Sequence, residues 1–217
     1  MKTIPVYPAG TMAALVAGKN VTAPTRRALQ ERMARPQTTT PRFFDNQAFA
    51  TLHAVCARLI PPFGSNAQVD VAGQIDSALA EGVGNGWRYD TMPPDGQAYV
   101  LGLYGVDQTA DAIFNMPFAQ IDSGQQDSVL RSVQQGNAPG TVWQTVPAAL
   151  FFEELLALAV EVCYAHPLVQ ESIGYAGMAD APGWQLIGLN QLEAREPRPL
   201  PLPLLLLLPR SMQNEDA

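Results

Sequence analysis

Two histidines and two cysteines stand at spacings that can do chemistry: His53-x-x-Cys56 and Cys163-x-x-His166. A separation of three places each pair on one helical face, and two imidazoles with two thiolates make a zinc set. The same cysteines suit two other fates. They are the only two in the chain, too few for a disulfide framework, yet one bond between them can form in an oxidising compartment. Both also fall on apolar helical stripes, where a free thiol packs as a small hydrophobe. Packed thiols are the expectation, and a disulfide or a metal set of His53, Cys56, Cys163 and His166 are the alternatives.

Other candidates carry less chemistry. The Glu153-Glu154 pair can in principle exchange protons, but on an apolar helix it reads as the solvated strip. Trp87, Trp143 and Trp184 lie at loops or helix ends next to glycine or proline. Aromatic residues in such places anchor interfaces or cap the domain's own core. With Tyr175, Leu204 and Leu206 they form the candidate partner interface. The sequence contains no Gly-x-Gly-x-x-Gly, no Gly-x-x-x-x-Gly-Lys-Ser/Thr and no Gly-x-Ser-x-Gly. No catalytic and no cofactor-binding residue is therefore assigned, and the chain is expected to be no enzyme by itself.

The elements that must position these residues read as helices. Asp45 suits an N-cap, followed by Phe49, Leu52, Cys56 and Leu59 at helical spacing up to Pro61-Pro62. A second helix begins near Asp70 with Val71, Ile75 and Leu79 on one stripe, and stops at Gly82. Tyr99, Leu103, Val106, Ala110 and Ile113 mark a third, running to about Met116 despite Gly102 and Gly105. The fourth is capped near Asp122 and ended by Gly136. The fifth, PAALFFEELLALAVEVCYAHP, is apolar around most of its circumference and belongs at a bundle centre. No stretch alternates strictly enough to argue for a sheet. The fold class is mainly α: a single bundle of about five helices with extended N- and C-terminal arms.

Residues 1–41 carry Pro5, Pro8, Pro24, Pro36 and Pro41 and read as an extended arm with one short helix, Pro24 to Met33. Residues 42–196 form the helical domain, in which IGYAGMADAPGW is an ordered loop. Residues 197–217 form a Pro/Leu-rich tail suited to polyproline II. Its longest apolar run, Leu204 to Leu208, is far short of the roughly 20 residues that span a membrane. Direct membrane insertion is not expected.

Charge excludes another class. The formal net charge is −7, and the only cluster of basic residues is Arg26, Arg27, Arg32 and Arg35, so no basic stripe serves nucleic acid. Charged residues make up only 15 %, which leaves surface that a second chain can cover. The Arg26-Arg27 pair is followed by the charged ALQERMARP rather than the apolar core of an export signal. A cytoplasmic chain is expected, or a periplasmic one if it is exported with a partner.

Taken in order, the segments FATLHAVCARLIPP, the Ile75-Asp76 helix, the Trp87-Arg88-Tyr89 loop, the Gln125-Gln126 helix before Gly136, and FFEELLALAVEVCYAHPLVQESIGYAGMADAPGW resemble the gluconate 2-dehydrogenase subunit 3 family. The similarity runs from about Phe43 to Glu196. It implies a partner: a large glucose-methanol-choline (GMC)-type flavoprotein that holds FAD and oxidises a sugar. It also implies a small, non-catalytic subunit that assists the large one in folding or maturation. Family members often start with a twin-arginine signal, and here the sequence departs from that pattern.

Overall fold

In the computed structural model the described residues are 8–60, 69–84, 86, 88–181, 183, 185–186, 188–189 and 191–194. Trp87, Trp184, Leu204, Leu206 and the tail 197–217 lie outside them. Eight α-helices occur among the described residues: α1 (Thr11–Ala17), α2 (Ala23–Ala34), α3 (Asn46–Leu59), α4 (Val71–Ala80), α5 (Asp95–Phe114), α6 (Ser123–Gln134), α7 (Ala148–Tyr164) and α8 (Pro167–Ser172). Single turns of 3-10 helix stand at Phe118–Gln120 and Thr141–Gln144, and no strand occurs among these residues. Two units cluster separately, one holding residues 36–60 and 69–165, the other 8–35 and the described residues from 166 onward.

The first unit is the expected bundle of five helices, α3 to α7. Its helix starts follow from local chemistry. Asp45 accepts the Ala48 N–H at 2.8 Å, Asp70 accepts the Gly73 N–H at 2.9 Å, and Asp122 forms a reciprocal capping box with Gln125. The stops are equally local, with Gly82 and Gly136 at φ of 66° and 70° and Asn115 left-handed at the end of α5. Helix α7 touches α3, α4, α5 and α6, as its composition demanded. Its fully buried stripe is Ala148, Phe151, Leu155, Ala159 and Cys163. Phe152, Leu156, Leu158 and Val162 are half-buried and Val160 is exposed, so the helix is central without being enclosed.

Gly102 and Gly105, which weaken α5 as an isolated helix, are explained by packing. A Cβ at Gly102 would lie 2.2 Å from the Phe151 ring, and one at Gly105 would lie 2.6 Å from Val142 and Trp143. The two positions are the flat seat on which an aromatic cluster rests. Phe151 stands edge-on to Tyr99 at 6.1 Å and 6.0 Å from Trp143.

Two carboxylates tie the bundle's loops to its helices. Asp76 is fully buried on α4, and it accepts the N–H groups of Arg42 at 2.6 Å and of Phe43 and Phe44 at 3.0 Å. Asp107 on α5 accepts from the Thr51 hydroxyl, the Gln47 amide and the Phe118 N–H. Each satisfies backbone or side-chain donors that would be orphaned inside the protein.

Residues 11–34 correct the expected extended arm. They form α1 and α2, and their Met12, Val16, Val21 and Leu29 are buried in one cluster with Ala176 and Met178. The short helix read at Pro24 to Met33 is α2, with Pro24 in its first turn, where a missing N–H costs nothing; α1 and the burial of both helices were not anticipated. Helix α8 was also not anticipated. It starts at Pro167, the residue that closes the preceding helical pattern.

Polar contacts knit this second unit across long sequence distances. Glu171 accepts the N–H groups of Gly10 at 3.2 Å and Met12 at 2.7 Å, at the start of α1. Asp180 accepts the Thr22 N–H and the hydroxyls of Thr22 and Thr25, each at 2.7 Å, at the start of α2. The Arg26 guanidinium reaches the carbonyls of Val16, Gly18 and Val21 and so closes α1 onto α2. The Glu193 carboxylate accepts the N–H groups of Gln185 and Leu186.

The Asp180 contacts carry a pH dependence. The Thr22 N–H, then the Thr25 and Thr22 hydroxyls, hold its carboxyl down at about 2, against an ordinary 3.8. A depressed folded-state value means that the contact contributes fully above the unfolded value, and that its contribution is lost as pH falls from about 4 through about 2. A carboxyl-detected NMR titration should give Asp180 a midpoint near 2, with the Thr22 and Thr25 amides following it. A midpoint near 4 would show that the contact is absent in solution.

Candidate functional site

The four residues of the possible metal set are dispersed in role. On α3, His53 is exposed while Cys56 is buried three residues away. Cys163 is fully buried on α7. Both cysteines are free thiols within the bundle. Burial pushes the Cys56 thiol up to about 12, with the Asp70 carboxylate and Cys163 adding to it. Burial also raises Cys163 to about 11. Zinc binds thiolates, and these environments disfavour the thiolate.

His166 has a different task. It is the N-cap of α8, its Nδ1 accepting the Leu168 N–H at 3.3 Å, and it hydrogen-bonds the Arg32 backbone. Burial holds its imidazole below the ordinary value, and the charges of Arg32 and Arg35 push the same way. The imidazole is thus engaged by backbone of both α8 and α2. Among the described residues no group of three or more His, Cys, Asp or Glu side chains gathers as a metal site.

The acidic pair on α7 behaves as a solvated strip with one local coupling. Glu153 accepts the Tyr89 hydroxyl at 2.9 Å. Desolvation first, then Asp95 and Glu153, raise the Glu154 carboxyl above its ordinary range.

Of the aromatic interface candidates, Trp143 and Tyr175 are within the described residues. Trp143 is half-buried, donates its indole N–H to Thr109 Oγ1 at 3.0 Å and covers Gly105. The Thr109 hydroxyl in turn lies 2.8 Å from the Gly105 and Pro139 carbonyls. Trp143 is therefore a cap of the bundle's own core, with one edge still reachable. Tyr175 is 51 % exposed, and its ring end lies against Gly177.

Sequence reasoning missed the outer face of α5. Val100 and Tyr104, one turn apart, are 44 % and 55 % exposed, and further along Ile113 is exposed as well. The signal was present in α5, which is apolar on more positions than one buried stripe needs, but periodicity does not say which apolar residue is left outside. From Asp95 to Phe114 this helix carries three aspartates and no lysine or arginine. Among the described residues no helix is long and apolar enough to cross a membrane.

Of three comparisons with known proteins, one finds a match. No curated protein and no solved structure matches the chain. The family model described as gluconate 2-dehydrogenase subunit 3 matches residues 46–188, from the start of α3 through α8 and into the segment that follows. That stretch exceeds half of the 217 residues, and the chain belongs to the gluconate 2-dehydrogenase subunit 3 family.

Proposed function

We propose that this chain is the non-catalytic small subunit of a sugar or glucoside dehydrogenase. It binds a large FAD-dependent, GMC-type flavoprotein and assists that subunit's folding or maturation. The observation that carries the reading is the family match across the whole of α3 to α8. Two features support it. The full sequence contains no glycine loop of the kind that cradles the FAD pyrophosphate, so the flavin is assigned to the partner. The outer face of α5 offers the exposed Val100 and Tyr104, which fits an apolar contact with the other chain. Tyr175, exposed on the second unit, is a further anchor. The complex resides in the cytoplasm, or in the periplasm where the two subunits are exported together.

Co-expression with the flavoprotein encoded beside it tests the reading. The large subunit is expected to be soluble and flavin-loaded with this chain and deficient without it. A flavoprotein that loads FAD and reaches full thermal stability alone would overturn the maturation role. The surface is tested separately. Val100→Asp with Tyr104→Asp should leave the bundle's melting unchanged and weaken the complex by about 2 kcal/mol or more, some thirtyfold in affinity. Unchanged affinity would move the contact elsewhere.

A further inference from the structure

The second unit has a construction that the family match does not account for. Helices α1 and α2 lie at residues 11–34, outside the matched stretch 46–188, whereas the residues that receive them, Glu171, Ala176, Met178 and Asp180, lie inside it. The seat thus lies within the matched stretch and its occupant outside it.

We infer that the α1–α2 pair is a strap that docks on this seat and undocks from it as one cooperative piece, independently of the bundle. Three observations lead there. First, neither helix can stand alone. Helix α1 has seven residues and α2 has twelve, at or below the length at which an isolated helix is marginal in water. Their helicity depends on Met12, Val16, Val21 and Leu29 finding Ala176 and Met178. Second, each helix start is held by a carboxylate from the seat, Glu171 for α1 and Asp180 for α2. Third, Arg26 of α2 binds three carbonyls at and after the end of α1, so that one helix cannot leave without disturbing the other. Undocking then means unfolding of residues 10–34 together, with the apolar floor of Ala176 and Met178 laid bare.

Hydrogen exchange on the intact chain reads this directly, without any partner. The amides of 11–17 and 23–34 should exchange at a common rate, faster than the buried amides of α3, α5 and α7. Glu171→Gln sets an amide NH2 against the N–H groups of Gly10 or Met12. It should accelerate both helices alike, by about tenfold or more, with the bundle unmoved. Asp180→Ala should do the same from the other end. If α1 and α2 exchange at the bundle's rate, or if Glu171→Gln opens α1 and leaves α2 protected, the strap is not a unit and the inference fails. Because no partner is involved, failure here leaves the proposed subunit role standing.

Discussion

Asp76→Ala should be the most damaging single substitution that leaves the hydrophobic residues untouched. The carboxylate is fully buried and answers three consecutive backbone N–H groups, those of Arg42, Phe43 and Phe44. Removing it deletes three charge-assisted hydrogen bonds and leaves their donors unpaired, each unsatisfied group costing about 1–3 kcal/mol. A loss of about 4 kcal/mol is expected, with Tm lower by on the order of 15 °C. Asp76→Asn keeps one acceptor oxygen and should fall about halfway. The Asp70→Ala change, which removes acceptors for Gly73 and Thr38 at a less buried place, should cost about 1–2 kcal/mol. Thermal and urea unfolding of the three variants gives the order. If Asp76→Ala melts within a few degrees of the parent, water reaches this site and the carboxylate is not the tie that it looks like.

The second large effect runs against helix propensity. Gly102→Ala places a methyl group where alanine favours a helix by about 1 kcal/mol over glycine. Here, however, that methyl group would stand 2.2 Å from the ring of Phe151, which is itself buried beside Tyr99 and Trp143. Overpacking costs about 1–3 kcal/mol or more, and the ring is buried with Tyr99 and Trp143 beside it. A net loss of about 2–3 kcal/mol is expected. The double change Gly102→Ala with Phe151→Leu should cost less than the sum of the two single changes, because the smaller side chain makes room. Gly124→Ala is the control. Its Cβ would meet only the Asp122 carboxylate, at an ordinary 3.4 Å, and it should be neutral or stabilising by up to about 1 kcal/mol. If Gly102→Ala stabilises the protein as well, the α5–α7 approach is looser than described.

The body of the fold was legible because helix starts and stops are local events. Asp45, Asp70 and Asp122 were readable as caps and are caps, and Gly82 and Gly136 were readable as stops and are stops. The apolar period of α7 identified the helix that meets all four others. Of the N-terminal helices, α2 was legible from its proline start at Pro24, whereas α1 and the packing of the pair were not, for the opposite reason. Their sequence is proline-bearing and short of strong periodicity, and what folds them is a seat some 150 residues away. No window of neighbouring residues contains that information.

The candidate site divides in the same way. By itself the sequence determined a helical bundle, its capping and its family, because each is written in residue type and short spacing. Tertiary structure alone decided that His166 is a helix cap held by backbone and that Cys56 and Cys163 are packed thiols. It alone decided that Trp143 closes a core while Val100 and Tyr104 face outward. The physical reason is that spacing assigns a residue to a face of its helix, whereas burial, protonation and hydrogen-bond partners depend on what the rest of the chain brings against that face.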